Sequence, residues 1–132
     1  MTPILAFDIE TVPDVNGIRL LYDLPASLPD DEVVLFAQQK RRAQNGSDFM
    51  QHHLHQVVAI SCCMRWGQDK IHVGTIGEMH DSEEEMIAKF FDLIESHTPQ
   101  LVSWNGGGFD LPVLHYRALI HGIAAARYWD MG

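Results

Sequence analysis

The sequence predicts an α/β domain, a mixed sheet with helices laid against it, and three observations carry that prediction. Val57–Met64 is a β-branched apolar run of strand length, and after Trp66-Gly67-Gln68-Asp69 the residues Lys70–Ile76 alternate polar and apolar. That is the pattern of a buried strand, a turn and a half-exposed returning strand. Met86, Ile87, Phe90, Phe91 and Ile94 fall on one stripe of a helix over 83–97. Finally, two short apolar runs, Pro3–Phe7 and Leu101–Trp104, each lead into a polar segment, as strands ending at one side of a sheet do.

Taken in order, Pro3–Phe7 is too short for a helix and is bounded by prolines, which makes it a strand. Residues 11–27 read as loop, because Thr11-Val12-Pro13-Asp14 and Asn16-Gly17 are turn chemistry and Pro25 follows a short apolar patch. Asp30-Asp31-Glu32 opens a helix carrying Val33, Leu35, Phe36 and Ala37, with acids at its positive end. Lys40-Arg41-Arg42 lies near its other end. Two readings of that triplet stay open, complementation of the helix dipole and a small phosphate-binding patch. Asn45-Gly46-Ser47 ends the helix. His52, His53 and His55 follow as a loop entering a strand; a zinc site there would need outside partners at a spacing the sequence does not offer.

Ser82 caps the helix over 83–97, and Glu85 completes a capping box. Glu83, Glu84 and Glu85 then form a charged first turn, and Pro99 stops the helix. The helix over 111–121 turns Leu111, Leu114, Ala118 and Leu119 inward, with Pro112 in its first turn and Gly122 as its C-terminal cap. No linker or internal repeat is visible, so residues 1–132 read as one domain.

Composition narrows the function classes. Nine Lys+Arg against eighteen Asp+Glu give a net charge of −9, which argues against non-specific duplex binding through clustered cations. It leaves room for metal-dependent chemistry on nucleic acid, because bound cations supply local positive charge. No apolar run approaches a membrane span. The two cysteines, Cys62 and Cys63, are adjacent in a strand and poorly placed to pair with each other, so a reducing cytoplasm is the expected compartment. Ser61, Cys62 and Cys63 have no acid–histidine pair at hand, which disfavours a serine or cysteine nucleophile.

Phe7-Asp8-Ile9-Glu10-Thr11 is the stretch around which the chemistry turns. On a strand, Asp8 and Glu10 point one way and Phe7 and Ile9 the other. Two acids on one side of a core strand favour a shared cation, or else a solvated strand end. Asp110 follows Asn105-Gly106-Gly107-Gly108-Phe109 at a strand–loop–helix junction. By itself it reads as an N-capping aspartate at a flexible turn. The element order would lay the first strand beside the strand ending at Trp104, bringing the three acids to one crevice.

These two stretches together resemble the first and second motifs of the DEDD 3′–5′ exonuclease superfamily, most closely the proofreading exonuclease domain of family B DNA polymerases and its stand-alone bacterial relatives. The resemblance runs over almost the whole chain and implies an RNase H-like fold: a mixed five-stranded sheet with flanking helices. It implies hydrolysis of a terminal phosphodiester of single-stranded nucleic acid, with DNA the expected substrate. Two Mg²⁺ or Mn²⁺ ions about 4 Å apart would activate water and stabilise the departing 3′ oxygen. By motif match, Asp8 would bridge both ions, Glu10 would hold the nucleophile-side ion and Asp110 would support the second. Asn105 and Phe109 match positions that contact the 3′-terminal nucleotides, although Phe109 packing beneath the loop is an equal alternative. Thr11 would approach the terminal nucleotide through its backbone.

One departure stands out. The family's third motif, Tyr-x-x-x-Asp or His-x-x-x-x-Asp, does not follow Asp110: Tyr116 is followed four residues on by Ile120 and Tyr128 by Gly132, while Asp130 lies too near the second motif. The expectation is a domain truncated before its last strand, last helix and fourth acid. It would be nearly inactive alone, and self-association through uncovered apolar surface is expected. A non-catalytic RNase H-like module that binds nucleic acid or protein is the alternative.

Overall fold

The computed structural model describes residues 2–124. The chain forms two compact units, one made of Met1–Thr11 with Val57–Gly132 and the other of Val12–Gln56. The first contains a four-stranded sheet in the order β3-β2-β1-β4. Its strands are β1 (Ile4–Pro13), β2 (His55–Trp66), β3 (Lys70–Thr75) and β4 (Gln100–Val102).

β1 shows period-two burial. Leu5, Phe7 and Ile9 are buried, whereas Asp8 and Glu10 are exposed. β2 and β3 are antiparallel, with Ser61 opposite Thr75 and Trp66 opposite Lys70, the hairpin expected around Gly67. β1 and β4 are parallel, with Ile4 opposite Gln100 and Ala6 opposite Val102. This mixed sheet with flanking helices is consistent with an α/β RNase H-like fold.

Two helices cover one face of the sheet. α3 (Glu83–His97) buries the expected stripe of Met86, Ile87, Phe90, Phe91 and Ile94. The rings of Phe7 and Phe90 pack with centroids 5.0 Å apart. Ser82 caps α3, its hydroxyl accepting from the Glu85 N–H at 3.2 Å. α4 (Leu111–His121) contributes Val113, Leu114 and Ala118 to the same core. Leu119, expected inward, is 58% exposed, and its place is taken by Val113 and Arg117.

That arginine belongs to a buried ionic knot. Glu83 accepts the Val57 N–H at 2.6 Å, and Arg117 donates to both carboxylate oxygens, most closely through Nη2 to Oε1 at 2.6 Å. His121 Nε2 lies 2.7 Å from the same Oε1. Glu83 is therefore more than a solvated acid of the first turn. It fastens the starts of α3 and β2 to the middle of α4.

In the second unit the residues expected as loop contain a helix, α1 (Val15–Tyr22). Asp14 caps it, accepting from Gly17 N–H at 3.1 Å. Gly17 reads locally as a turn residue, but here it leaves space for that cap: a Cβ would lie 2.5 Å from Asp14 Oδ2. α2 (Asp30–Asn45) buries Val33 and Ala37 against Ile18, Met50 and Leu54, while Leu35 is exposed. Arg42 pairs with Asp48, and Arg41 Nε donates to the Phe49 carbonyl at 3.1 Å. Lys40 lies over the Phe36 ring. The basic triplet thus makes contacts within its own unit. Among the described residues no helix is long and apolar enough to cross a membrane.

Candidate functional site

Parallel pairing of β1 with β4 sends both strands out at the same end of the sheet. β1 there carries Asp8 and Glu10 on the face opposite the α3–α4 core. Asp8 borders a shallow trough of about 720 Å³ on that face, with Ala6, Ser61, Cys63, Val73 and Thr75. β4 continues into the segment Ser103–Asp110, whose last five residues, Gly106–Asp110, form a single π turn entering α4. Its closing bond runs from Leu111 N–H to the Gly106 carbonyl. Such wide turns are rare and concentrate at functional sites.

The glycines explain how the turn closes. A Cβ on Gly108 would come within 2.6 Å of Asn105 Oδ1, and one on Gly106 within 3.0 Å of Ser103 Cβ. Asn105 is exposed and its side chain folds over Gly108. Phe109 is half-buried and packs against the main core, the second of the two alternatives for that ring.

Asp110 is 5% exposed. It has helical backbone angles and makes no side-chain capping bond, so the ordinary use of an aspartate at a helix start does not account for it. Its Oδ2 is buried with no hydrogen-bond partner, and so is Ser103 Oγ at the other end of the segment. Buried polar atoms are nearly always paired, and unpaired ones collect at sites kept for a ligand.

Among the described residues no group of three or more His, Cys, Asp or Glu side chains is arranged to hold a metal ion. Asp8 and Glu10 alternate with Phe7 and Ile9 and so face away from the core, whereas Asp110 is buried where α4 begins, and α4 packs on the core side. By donor chemistry these hard oxygens suit Mg²⁺ or Mn²⁺. Asp8 and Glu10 are exposed, and Asp110 is buried. Tyr128, Asp130 and Gly132, weighed for a third motif, lie outside the described residues. Thr11 is half-buried at the end of the acidic stretch.

Among the described residues His52, His53 and His55 belong to no group of three or more side chains arranged to hold a metal ion. His55 Nε2 lies 3.2 Å from the Met50 carbonyl, and its ring leans on Phe49. Burial holds the His55 imidazole below its ordinary value of 6.5, against the pull of the Met50 carbonyl. A lowered folded value means that His55 contributes stability above pH 6.5, lost as pH falls through that lowered value. We expect the urea midpoint to drop between about pH 7.5 and about pH 5, with a shallower drop in His55→Phe. An unchanged slope in the variant would contradict this. Burial pushes the Cys62 thiol above its ordinary value, with Cys63 adding to the effect.

Trp104, expected at the end of a strand, lies beyond it: β4 stops at Val102 and the ring is fully exposed. Pattern reading passes over Arg117 and His121, whose partner Glu83 is too distant in sequence for any local pattern.

Residues 47–132 match the model of a family described as predicted 3′–5′ exonuclease related to the exonuclease domain of PolB. The match includes Asp110 and begins after Asp8 and Glu10. The chain is 40% identical over 42 residues to DNA polymerase 1 of Sulfolobus acidocaldarius, covering 32% of this chain. It is 46% identical over 44 residues to DNA polymerase 1 of Sulfurisphaera ohwakuensis, covering 33%. These stretches span 5% of either relative. Among solved structures it resembles the family B DNA polymerase of the hyperthermophilic archaeon Pyrobaculum calidifontis, with a TM-score of 0.50 and 22% identity, over 95% of this chain and 12% of that one. At that identity the likeness speaks for the fold alone.

Proposed function

This chain belongs to the family of predicted 3′–5′ exonucleases related to the exonuclease domain of PolB, and from that premise we propose that it hydrolyses the terminal phosphodiester of a single-stranded 3′ end, DNA in preference to RNA. The observation that carries the proposal is the buried, unpartnered Oδ2 of Asp110 on a π turn, at the sheet end where Asp8 and Glu10 emerge. A buried carboxylate oxygen without a hydrogen bond destabilises the fold, and a cation would satisfy it.

Asp8, Glu10 and Asp110 are the donors in this reading. Two Mg²⁺ or Mn²⁺ ions, when bound, would supply an activated water and charge stabilisation at the departing oxygen. The chain's own groups do the rest. Asn105, at the mouth of the turn, and the backbone at Thr11 would hold the terminal nucleotide, and Phe109 would support the turn from below while its exposed edge meets the sugar or base. The resemblance assigns three of the motif set's four acids to this chain. We therefore propose that this chain alone is a slow nuclease.

The second reading, a non-catalytic RNase H-like module, is favoured by that same lack of a three-acid group. Calorimetry with Mn²⁺, paired with an assay of mononucleotide release from single-stranded DNA, separates the two. The nuclease reading predicts Mn²⁺ binding that disappears in Asp8→Ala and Asp110→Ala, with weak release that Asp8→Ala abolishes. No Mn²⁺ binding and no release by the unsubstituted chain would leave the binding module standing.

A further inference from the structure

We propose that Glu83 and Arg117 are positioning residues for the acid set: together they fix where α4 lies along the sheet, and so where Asp110 stands relative to the strand of Asp8 and Glu10. The inference rests on the nuclease reading above and adds to it two buried residues that act through others.

The Glu83 carboxylate grips two elements at once. Its Oε2 accepts the Val57 N–H at 2.6 Å, and Val57 lies on β2, the sheet neighbour of the strand that carries Asp8 and Glu10. The same carboxylate accepts Arg117 Nε at Oε2, 2.9 Å away, and Arg117 Nη2 at Oε1, 2.6 Å away. Two parallel bonds to a planar guanidinium set orientation as well as distance. His121 Nε2, one turn further along α4, lies 2.7 Å from Oε1.

Asp110 stands on the same face of that helix. It already has helical backbone angles, and it is buried, as is Arg117. Seven residues make nearly two whole turns, so Arg117 follows Asp110 along one stripe, about 10.5 Å down the axis. A slide or rotation of α4 at Arg117 would be carried to Asp110.

Stability alone does not account for an ion pair at this place. Exchanging a buried pair for apolar side chains of similar volume is often neutral, so what the pair adds is geometric. The apolar contacts of α4, through Val113, Leu114 and Ala118, are non-directional. Metal-binding side chains need their positions held to within about 0.5 Å. The leading end of α4 supplies little directional hold, because Asp110 makes no side-chain capping bond and Gly106-Gly107-Gly108 runs into it.

The test compares Mn²⁺ affinity by calorimetry in the unsubstituted chain and in the double variant Glu83→Met with Arg117→Met, at a temperature where both are folded. The metal-free thermal midpoint of the double variant should lie much closer to the parent's than that of either single variant. Its Mn²⁺ affinity should nonetheless fall by about tenfold to about 100-fold, the range seen when the supports of metal-binding side chains are removed. A purely structural pair would leave the affinity of the folded chain unchanged. A loss smaller than about threefold in the folded double variant refutes the positioning role while the nuclease reading stands. If the double variant does not fold, Arg117→Lys, which keeps the charge and loses the fork, decides by the same limit. If the unsubstituted chain binds no Mn²⁺, the nuclease reading falls and the positioning role falls with it.

Discussion

Replacing Glu83 by alanine is expected to remove about 3–5 kcal/mol of folding stability. Glu83 and Arg117 side chains are each 5% exposed, so the guanidinium would be left buried without its counter-charge. The Val57 N–H would lose its acceptor as well, and His121 its carboxylate. Stranding a buried charge is far more destabilising than losing a surface pair, and Glu84→Ala, one residue on and exposed, should change stability by no more than about 0.5 kcal/mol. Urea unfolding at neutral pH measures both. The sharper test is the double replacement Glu83→Met with Arg117→Met. Because the pair recovers little more than its own desolvation, the double variant should be much closer to the parent than either single one. A Glu83→Ala loss below about 1 kcal/mol would mean that water reaches the guanidinium and that the knot is not structural.

Asp110→Asn is expected to move stability and metal binding in opposite directions. An amide is less costly to bury than a carboxylate, so the metal-free variant should gain about 1–3 kcal/mol over the parent. The parent should then recover stability as Mn²⁺ is added, by about 2.7 kcal/mol at a hundred times the dissociation constant, whereas the variant should respond little. Thermal midpoints with and without Mn²⁺ report both. Parent and variant responding alike to the ion would take Asp110 out of the site. A variant less stable than the parent in metal-free buffer would show that the carboxylate already has a partner in the folded chain.

What could be read from the sequence was what periodicity and local chemistry encode. The stripe on α3 and the β2–β3 hairpin follow from residue spacing alone, and α4 ends where Pro112 and Gly122 place it. The alternation in Phe7–Glu10 correctly set the two acids against the core residues. The misses share a cause, because each depended on partners distant in sequence or on a competing use of a turn residue. Asn16-Gly17 carries turn chemistry, yet the Asp14 cap and the burial of Ile18 draw it into a helix. Leu119 fits the apolar stripe of α4, but Arg117 is drawn inward by Glu83, and the buried face rotates accordingly. No local spacing ties Asp110, far along the chain, to Asp8 and Glu10.

Between Thr11 and Val57 the chain leaves one strand and returns on its immediate neighbour, having built a small core of its own on the way. To the sheet, that whole stretch is a single connection. Entropy penalises lengthening such a connection only with the logarithm of its length. Lengthening or shortening that connection should therefore cost the closure of the sheet little.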